Sequence, residues 1–390
     1  MNYSTIHCDY LIIGGGIAGA SAGYYLARHG KTVILEQEEF PGFHTTGRSA
    51  AMIIPSYGPM QVRALTAASI GQFSWLTAEF NSHELLTRRG ALMVAEPGQE
   101  EMLEGHAMQV ESTGAAMHRL STRAALQMVP VLKAEMVACG VFEPNCFDVD
   151  VDALLQGFLR GIRREGGAVV QNAKVIKLER KEAMWRVQLG NGHTYVTPVL
   201  LNAAGAWADA VGALAGASHI GLEPRRRSAF TFKVPMGQAT GVWPLVGGVD
   251  GSWYFKPEAG LLLGSSANAD LAHPGNVQPE EIDVATGIFR IEEMTTLSIR
   301  RPERTWAGLR SFVPDGGLVA GFDEYAPGFF WVAGQGGYGI QTAPAMGEAC
   351  AALARSKPLP QRHLDCGLTE AMLSPARLKR ESATSPGCPA

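Results

Sequence analysis

The chain has 390 residues, 46% of them apolar, with 33 Lys and Arg against 37 Asp and Glu for a formal net charge of -4. This is enough apolar material for one large or two medium α/β units, and the interspersed charge excludes the basic stripe of a nucleic-acid-binding surface, leaving a small molecule as the expected partner. The cysteines (Cys8, Cys139, Cys146, Cys350, Cys366 and Cys388) show neither C-x-x-C nor zinc spacing and read as reduced thiols of a cytoplasmic protein with no bound metal; no apolar run is long enough to make a transmembrane segment.

Asp9 to Ile13 (DYLII) reads as a short strand buried on both faces of a parallel sheet. It runs into Gly14-Gly15-Gly16-Ile17-Ala18-Gly19, a helix from about Ala18 to His29, a stop at Gly30, and a strand from Lys31 to Leu35 that ends on Glu36. Further helices are predicted over Met60 to Phe80, Glu100 to Glu111, Thr122 to Met128 and Val151 to Glu165, the last amphipathic with Asp150 or Asp152 to cap it. Arg89 to Val94 reads as a strand, and Pro130 and Pro144 punctuate a region of loops. Strands follow at Ala168 to Val170, Ala173 to Glu179, Trp185 to Leu189 and Val199 to Ala203, with a hairpin turn at Asn191-Gly192. Between Arg225 and Arg310, β-rich segments joined by Pro/Gly turns surround one acidic helix near Glu280 to Met294. The strand Phe329 to Ala333, the turn Gly334 to Gly339 and a helix Ile340 to Leu353, with Pro344 in its first turn, precede a loose tail.

Two of these turns carry chemistry. Gly14-x-Gly16-x-x-Gly19 between strand and helix, with Glu36 about twenty residues on, is a dinucleotide-binding arrangement. Glycine lets the backbone approach a pyrophosphate, the helix N-terminus offers it unpaired N–H groups, and Glu36 accepts from ribose hydroxyls. The offset does not separate NAD from FAD. The turn Gly334 to Gly339 aims a second helix N-terminus at something electron-rich, which a reduced flavin is at its N1–C2=O end. On that reading the first turn holds the ADP half and the second holds the ring; the alternative is a second βα turn with no ligand.

These turns, with the loop HTTGRSAA (44 to 51), the strand end LNAAGAWAD (201 to 209), TWAGLRSFVPDG (305 to 316) and GQGGYGIQTAP (334 to 344), make the chain resemble the flavin-dependent amine oxidoreductases of the D-amino acid oxidase type. Among these the likeness is greatest to the bacterial D-arginine dehydrogenases. The resemblance implies an α/β (α+β) fold in which a Rossmann-like FAD-binding domain (1–88, 148–222 and 311–375) carries an antiparallel-sheet substrate-binding domain (89–147 and 223–310), with a tail at 376–390. It implies cofactor contacts from Ala18, Glu36, Gln37, Thr45, Thr46, Gly47, Arg48, Ser49, Ala50, Ala51, Met52, Val175, Gly205, Gly336, Gly337, Tyr338, Gly339, Ile340 and Gln341, beside the glycines of the first turn. It implies a substrate site made by Arg227, Arg310, Tyr57, Tyr254 and the Gly337 carbonyl, bordered by Met52, Ile54, Ala91 and Gln341.

The residues themselves agree with this. An α-amino acid has to present its Cα–H to flavin N5, and a guanidinium fork on the carboxylate fixes that geometry. Arg310 needs a partner, the alternative being a structural ion pair with an Asp or Glu; of Arg225, Arg226 and Arg227, two read as solvated. Tyr57 and Tyr254 read equally as core aromatics, and His44 as a satisfied loop histidine rather than a base. Where the D-arginine dehydrogenases place a glutamate to meet the substrate guanidinium this chain has Ala91, and Met52 and Ile54 stand for polar loop residues, so a neutral, apolar substrate side chain is expected. Relatives that tether the flavin use a His or Cys in the active-site loop or beside the clamp arginine; Gly47-Arg48-Ser49 and Arg310-Ser311-Phe312 here imply non-covalent FAD. The expected reaction is oxidation of a D-amino acid to the imino acid by hydride transfer to N5, then hydrolysis to keto acid and ammonia, with the electron acceptor open. The alternatives are a secondary-amine or N-substituted amino acid oxidase of the sarcosine or opine type, and a redox-silent nucleotide-binding protein.

Overall fold

The computed structural model describes residues 5–234 and 240–379. Continuous apolar runs make its central sheet, six strands in the order Ala168–Val170, Thr32–Leu35, Tyr10–Ile13, Val199–Asn202, Phe329–Ala333 and Val319–Phe322. All pairs are parallel except the last. Such strands are covered on both faces, and Leu11, Ile12, Ile34, Leu200 and Phe330 have no exposure. One face carries the helices Ile17–Ala27, Val151–Arg164 and Gly339–Ala354. The other carries the helix Ala208–Ala215 and a sheet formed by Thr5–His7, Thr194–Thr197, Met184–Leu189 and Val175–Lys181. The helices following the two glycine turns pack directly together: a side chain on Gly347 would meet the Ser21 backbone carbon at 2.7 Å.

A nine-stranded sheet lies over this unit. Asp270–Leu271, Glu223–Phe232, Leu261–Ser265, Tyr254–Glu258, Leu245–Gly248, Ala91–Ala95, Cys139–Glu143 and His118–Ser121 run edge to edge, and Arg304–Phe312 also pairs with Glu223–Phe232. Every pairing is antiparallel except Leu245–Gly248 on Ala91–Ala95. Side chains alternate faces along a strand, so register decides which residues meet. Arg227 pairs with Gly308, two residues from Arg310; Tyr254 pairs with both Ser265 and Gly247; Leu245 pairs with Ala91, and Ala91 with Glu143. All of these share one face. The other face holds Leu92, Val246, Phe230, Phe232 and Phe255 in a core closed by the helix Glu281–Met294, which lies within a residue of its expected bounds.

The structure departs from the sequence reading in a few places. The expected loops around Pro130 and Pro144 contain two strands, Cys139–Glu143 and Phe147–Val149; the latter pairs with Met52–Ile53 and Leu86–Arg88. Pro344 lies one turn deeper in the helix that starts at Gly339 than expected. Of the tail 376–390, Arg377 is bonded to Asp315 at 2.6 Å within the helical turn Pro375–Lys379, and the residues from 380 on lie outside the described residues. Among the described residues no helix is long and apolar enough to cross a membrane.

Candidate active site

A single cavity of about 340 Å³ runs along both glycine turns. At one end it is lined by Gly14, Gly16, Ala18, Glu36, Gln37 and Val175, and at the other by Gly336, Gly337, Gly339, Ile340, Arg310 and Arg227. The glycines of the first turn are sterically required. A side chain on Gly14 would meet the Ala203 carbonyl oxygen at 2.3 Å, and one on Gly19 would meet the Gly14 carbonyl oxygen at 2.0 Å, so the strand, turn and helix fit together only without them. Neither helix has a side-chain cap on its N-cap residue, Gly16 or Tyr338. In the first helix the Ile17 N–H donates to the Thr46 hydroxyl at 3.0 Å, and the helix N-terminus still faces the cavity. Glu36 is 7% exposed; its carboxylate accepts from the Gly15 and Glu38 N–H groups at 2.8 and 2.9 Å and keeps lone pairs for a further donor. Burial raises its pKa against those two bonds. Two buried polar atoms of cavity-lining residues, His44 Nδ1 and Gln335 Nε2, have no partner among the described residues. An acid, two helix N-termini behind glycine turns and two orphaned polar atoms along one cavity fit a dinucleotide-sized group.

The loop between these ends is pinned to the strand that carries Arg310. The Thr45 hydroxyl donates to the Leu309 carbonyl at 2.6 Å, Arg48 donates to the carbonyls of Ala307 and Val277 at 2.9 and 3.1 Å, and the Trp306 indole donates to the Arg48 carbonyl at 3.1 Å. Arg310 and Arg227, diagonal neighbours on adjacent strands, both face the cavity. Among the described residues neither has a carboxylate partner. Arg227 donates from Nε to the Asn268 carbonyl at 2.5 Å and bonds Tyr254. Burial first, and then the like charge of Arg310, pulls its pKa down to about 10, with Tyr254 and Tyr57 opposing the shift. The neighbouring arginines behave differently. Arg225 pairs with Glu223 at the surface, whereas Arg226 is held by Glu280, Asp283 and Asp270, so only one of the three is solvated and the expectation of two is corrected. A methyl group built on Gly337 would sit 3.0 Å from Arg310 Nη1 and 3.4 Å from the Tyr57 hydroxyl, which brings all three to one point. Tyr57 packs edge-on against Tyr338 at 5.1 Å, and burial pushes the Tyr338 phenol up to about 12.

Residues 9–353 match the family model described as "FAD dependent oxidoreductase". The chain belongs to this family. It is an FAD-dependent oxidoreductase, and the cavity is where the FAD would lie. Among curated proteins it is 25% identical over 376 residues to glycine oxidase of Bacillus licheniformis, with 90% of this chain and 94% of that one aligned. It is 24% identical over 262 residues to mitochondrial dimethylglycine dehydrogenase of Rattus norvegicus, covering 66% of this chain but only 30% of that longer relative. Among solved structures, L-proline dehydrogenase from P. horikoshii superposes with a TM-score of 0.81 at 20% identity, over 97% of this chain and 99% of the other, a likeness of fold. The expected special likeness to D-arginine dehydrogenases is thus corrected to a likeness to the family at large, with glycine oxidase among its relatives.

Of the residues named from the sequence as FAD contacts, Thr45, Thr46, Arg48, Ser49, Ala50 and Gly205 also line the cavity, Gly205 with φ +54 and open space where a side chain would stand. Gly19, Gly47, Ala51, Met52, Tyr338 and Gln341 are not in its lining. Gln341 is 2% exposed and braces the site from behind, accepting from the Ile54 N–H at 3.3 Å and donating to Thr66 at 2.9 Å. Met52, Ile54 and Ala91 gather with Cys146, Leu245 and Tyr254 in an apolar cluster beside the Arg227 end, Ala91 being 1% exposed. His44 is half satisfied: Nε2 meets Glu38 at 2.8 Å, the ring packs on Trp207, and Nδ1 is left over. Sequence reasoning missed the lining residues Trp207, Ala173, Lys174 and Gln335, although Trp207 stands inside the quoted LNAAGAWAD segment. It also missed Glu143, for which no local signal exists.

Proposed function

We propose that this protein oxidises the amine-bearing carbon of an amino acid that it grips by the carboxylate, with a D-amino acid of neutral side chain as the substrate. One observation carries the reading: two guanidinium groups converge on one end of the flavin cavity, and no Asp or Glu among the described residues neutralises either. Unpaired buried cations are costly, and a fold keeps them where a ligand anion completes them. Arg310 and Arg227 would share the carboxylate, with the hydroxyls of Tyr57 and Tyr254 beside them, so that Cα is fixed in one place. Bound FAD supplies the acceptor for the hydride that leaves Cα, and water then hydrolyses the imine to a keto acid and ammonia. The acids nearest the site are engaged elsewhere: Glu280 and Asp283 by Arg226, and Glu143 by Ser56. The cluster of Met52, Ile54 and Leu245 beside Tyr254 favours an apolar side chain.

The likeness to a dimethylglycine dehydrogenase favours a second reading, in which the nitrogen is substituted. Product analysis separates the two. A primary amino acid releases ammonia and an N-substituted one releases an alkylamine; a panel of D-amino acids that yields no keto acid, while N-methyl amino acids do, would replace the first reading by the second.

A further inference from the structure

Glu143 ends the strand Cys139–Glu143 opposite Ala91, on the sheet face that carries Arg310, Arg227 and Tyr254. It is 2% exposed. Its Oε1 accepts the Ser56 hydroxyl at 2.6 Å, and its Oε2 has no partner. His106 Nε2 lies 3.9 Å from Oε1, beyond hydrogen-bond range, and is itself without a partner. Burial pushes the Glu143 carboxyl pKa up and the His106 pKa down, so both favour their uncharged forms. A carboxyl buried this deeply for the hydroxyl and backbone N–H of one residue is expensive, and what matters is which residue it holds.

It holds the residue before Tyr57. Ser56 is held through its hydroxyl and backbone N–H, both to Glu143, and through its carbonyl, which accepts from the Gln109 amide at 3.0 Å. The same turn is closed by the Tyr57 N–H on the Ile54 carbonyl at 3.0 Å, and ends at Gly58 with φ +96. Tyr57 is 39% exposed, so packing alone does not fix its ring; the pins at Ser56 and at the Tyr57 N–H hold the backbone that carries it. We propose that Glu143, acting through Ser56, is a positioning residue that sets the Tyr57 hydroxyl beside Arg310 for the substrate carboxylate. This rests on the reading that the arginine pair binds a carboxylate.

The test uses the FAD-loaded enzyme, steady-state kinetics, and titration with propanoate, an amino acid's carboxylate without its amine, followed by the flavin absorbance. Glu143→Leu and Ser56→Ala should each raise KM and the propanoate Kd about tenfold while kcat changes less than about twofold. Glu143→Gln, which keeps an acceptor for Ser56, should bring KM back to within about twofold of the parent. In a Tyr57→Phe background, Ser56→Ala should add less than about twofold, because the group it positions is gone. The proposal is overturned if Ser56→Ala costs the same with and without the Tyr57 hydroxyl, or if Glu143→Gln behaves like Glu143→Leu. Ser56→Ala leaves the carboxyl in place, so it carries the test should Glu143→Leu fail to fold. Arg310→Met is the separate arm: if it leaves propanoate binding unchanged, the carboxylate reading itself fails, whereas indifference confined to the Ser56 and Glu143 variants removes only this proposal.

Discussion

Arg310 stands in a nearly buried strand with its charge unmet by any Asp or Glu among the described residues, and a ligand carboxylate is the natural complement. Replacing it by methionine keeps the volume and removes the fork, so kcat/KM should fall by about a hundredfold or more while FAD stays bound. A near-parental value with flavin retained would remove Arg310 from substrate binding. Glu143 alters the substitution that would convert the pocket: Ala91→Glu would set a second carboxyl directly opposite it. Two carboxyls that close cannot both ionise, so Ala91→Glu should turn the preference toward cationic D-amino acids only when combined with Glu143→Gln, as the ratio of kcat/KM for D-lysine and D-leucine will show. Glu143 also makes stability depend on pH. Its folded-state pKa is raised, so its contribution is most favourable below the ordinary carboxylate range and is lost as pH rises through the folded value. Glu143→Gln does not titrate, and its Tm relative to the parent should climb as pH rises above the ordinary carboxylate range; a pH-independent difference would mean the carboxyl is not buried uncharged. Arg310 was legible in the sequence because an arginine among apolar residues asks for a partner. Glu143 was not, because Ser56 lies 87 residues away and only the register of the sheet brings them together.

The two glycine turns and their helices are the elements on which cofactor binding depends. Gly19→Ala would drive a methyl group to 2.0 Å from the Gly14 carbonyl oxygen, parting the helix from the strand below it. It should lower Tm and yield protein largely without flavin, whereas Gly105→Ala, with nothing near its added methyl and outside the cavity lining, should keep its flavin. Equal flavin content in the two would show that the close fit of the first turn is unnecessary. The βαβ unit was readable because apolar strands, glycine offsets and the terminal acid all point one way. The strands Cys139–Glu143 and Phe147–Val149 were not: each is short, lies close to Pro144, and is stabilised by distant partners, Ala91–Ala95 in one case and Met52–Ile53 in the other. The helix Ala208–Ala215 was hidden behind the glycine turn that precedes it, although Gly216 at φ +66 closes it as a C-cap glycine should.

At the scale of the molecule, one face of a nine-stranded sheet lies against one edge of a nucleotide-binding unit, and the loop Thr45–Arg48 is hydrogen-bonded to both. The fold class and the two strand, glycine turn and helix units were legible from pattern; the apolar flank by Tyr254 and the pinning of Tyr57 were products of sheet register, which no single segment reveals. The central claim is that flavin reduction depends on a carboxylate held by the arginine pair. It is tested most directly by mixing the FAD-loaded enzyme anaerobically with D-leucine, D-methionine or D-phenylalanine, and with the amines of the same skeletons that lack the carboxylate, while following the flavin's visible absorbance. A neutral D-amino acid should bleach the flavin at least about a hundredfold faster than its matching amine, and Arg310→Met should erase that advantage. Bleaching by the amine as fast as by the amino acid, or no bleaching by any primary or N-substituted amino acid, would contradict it.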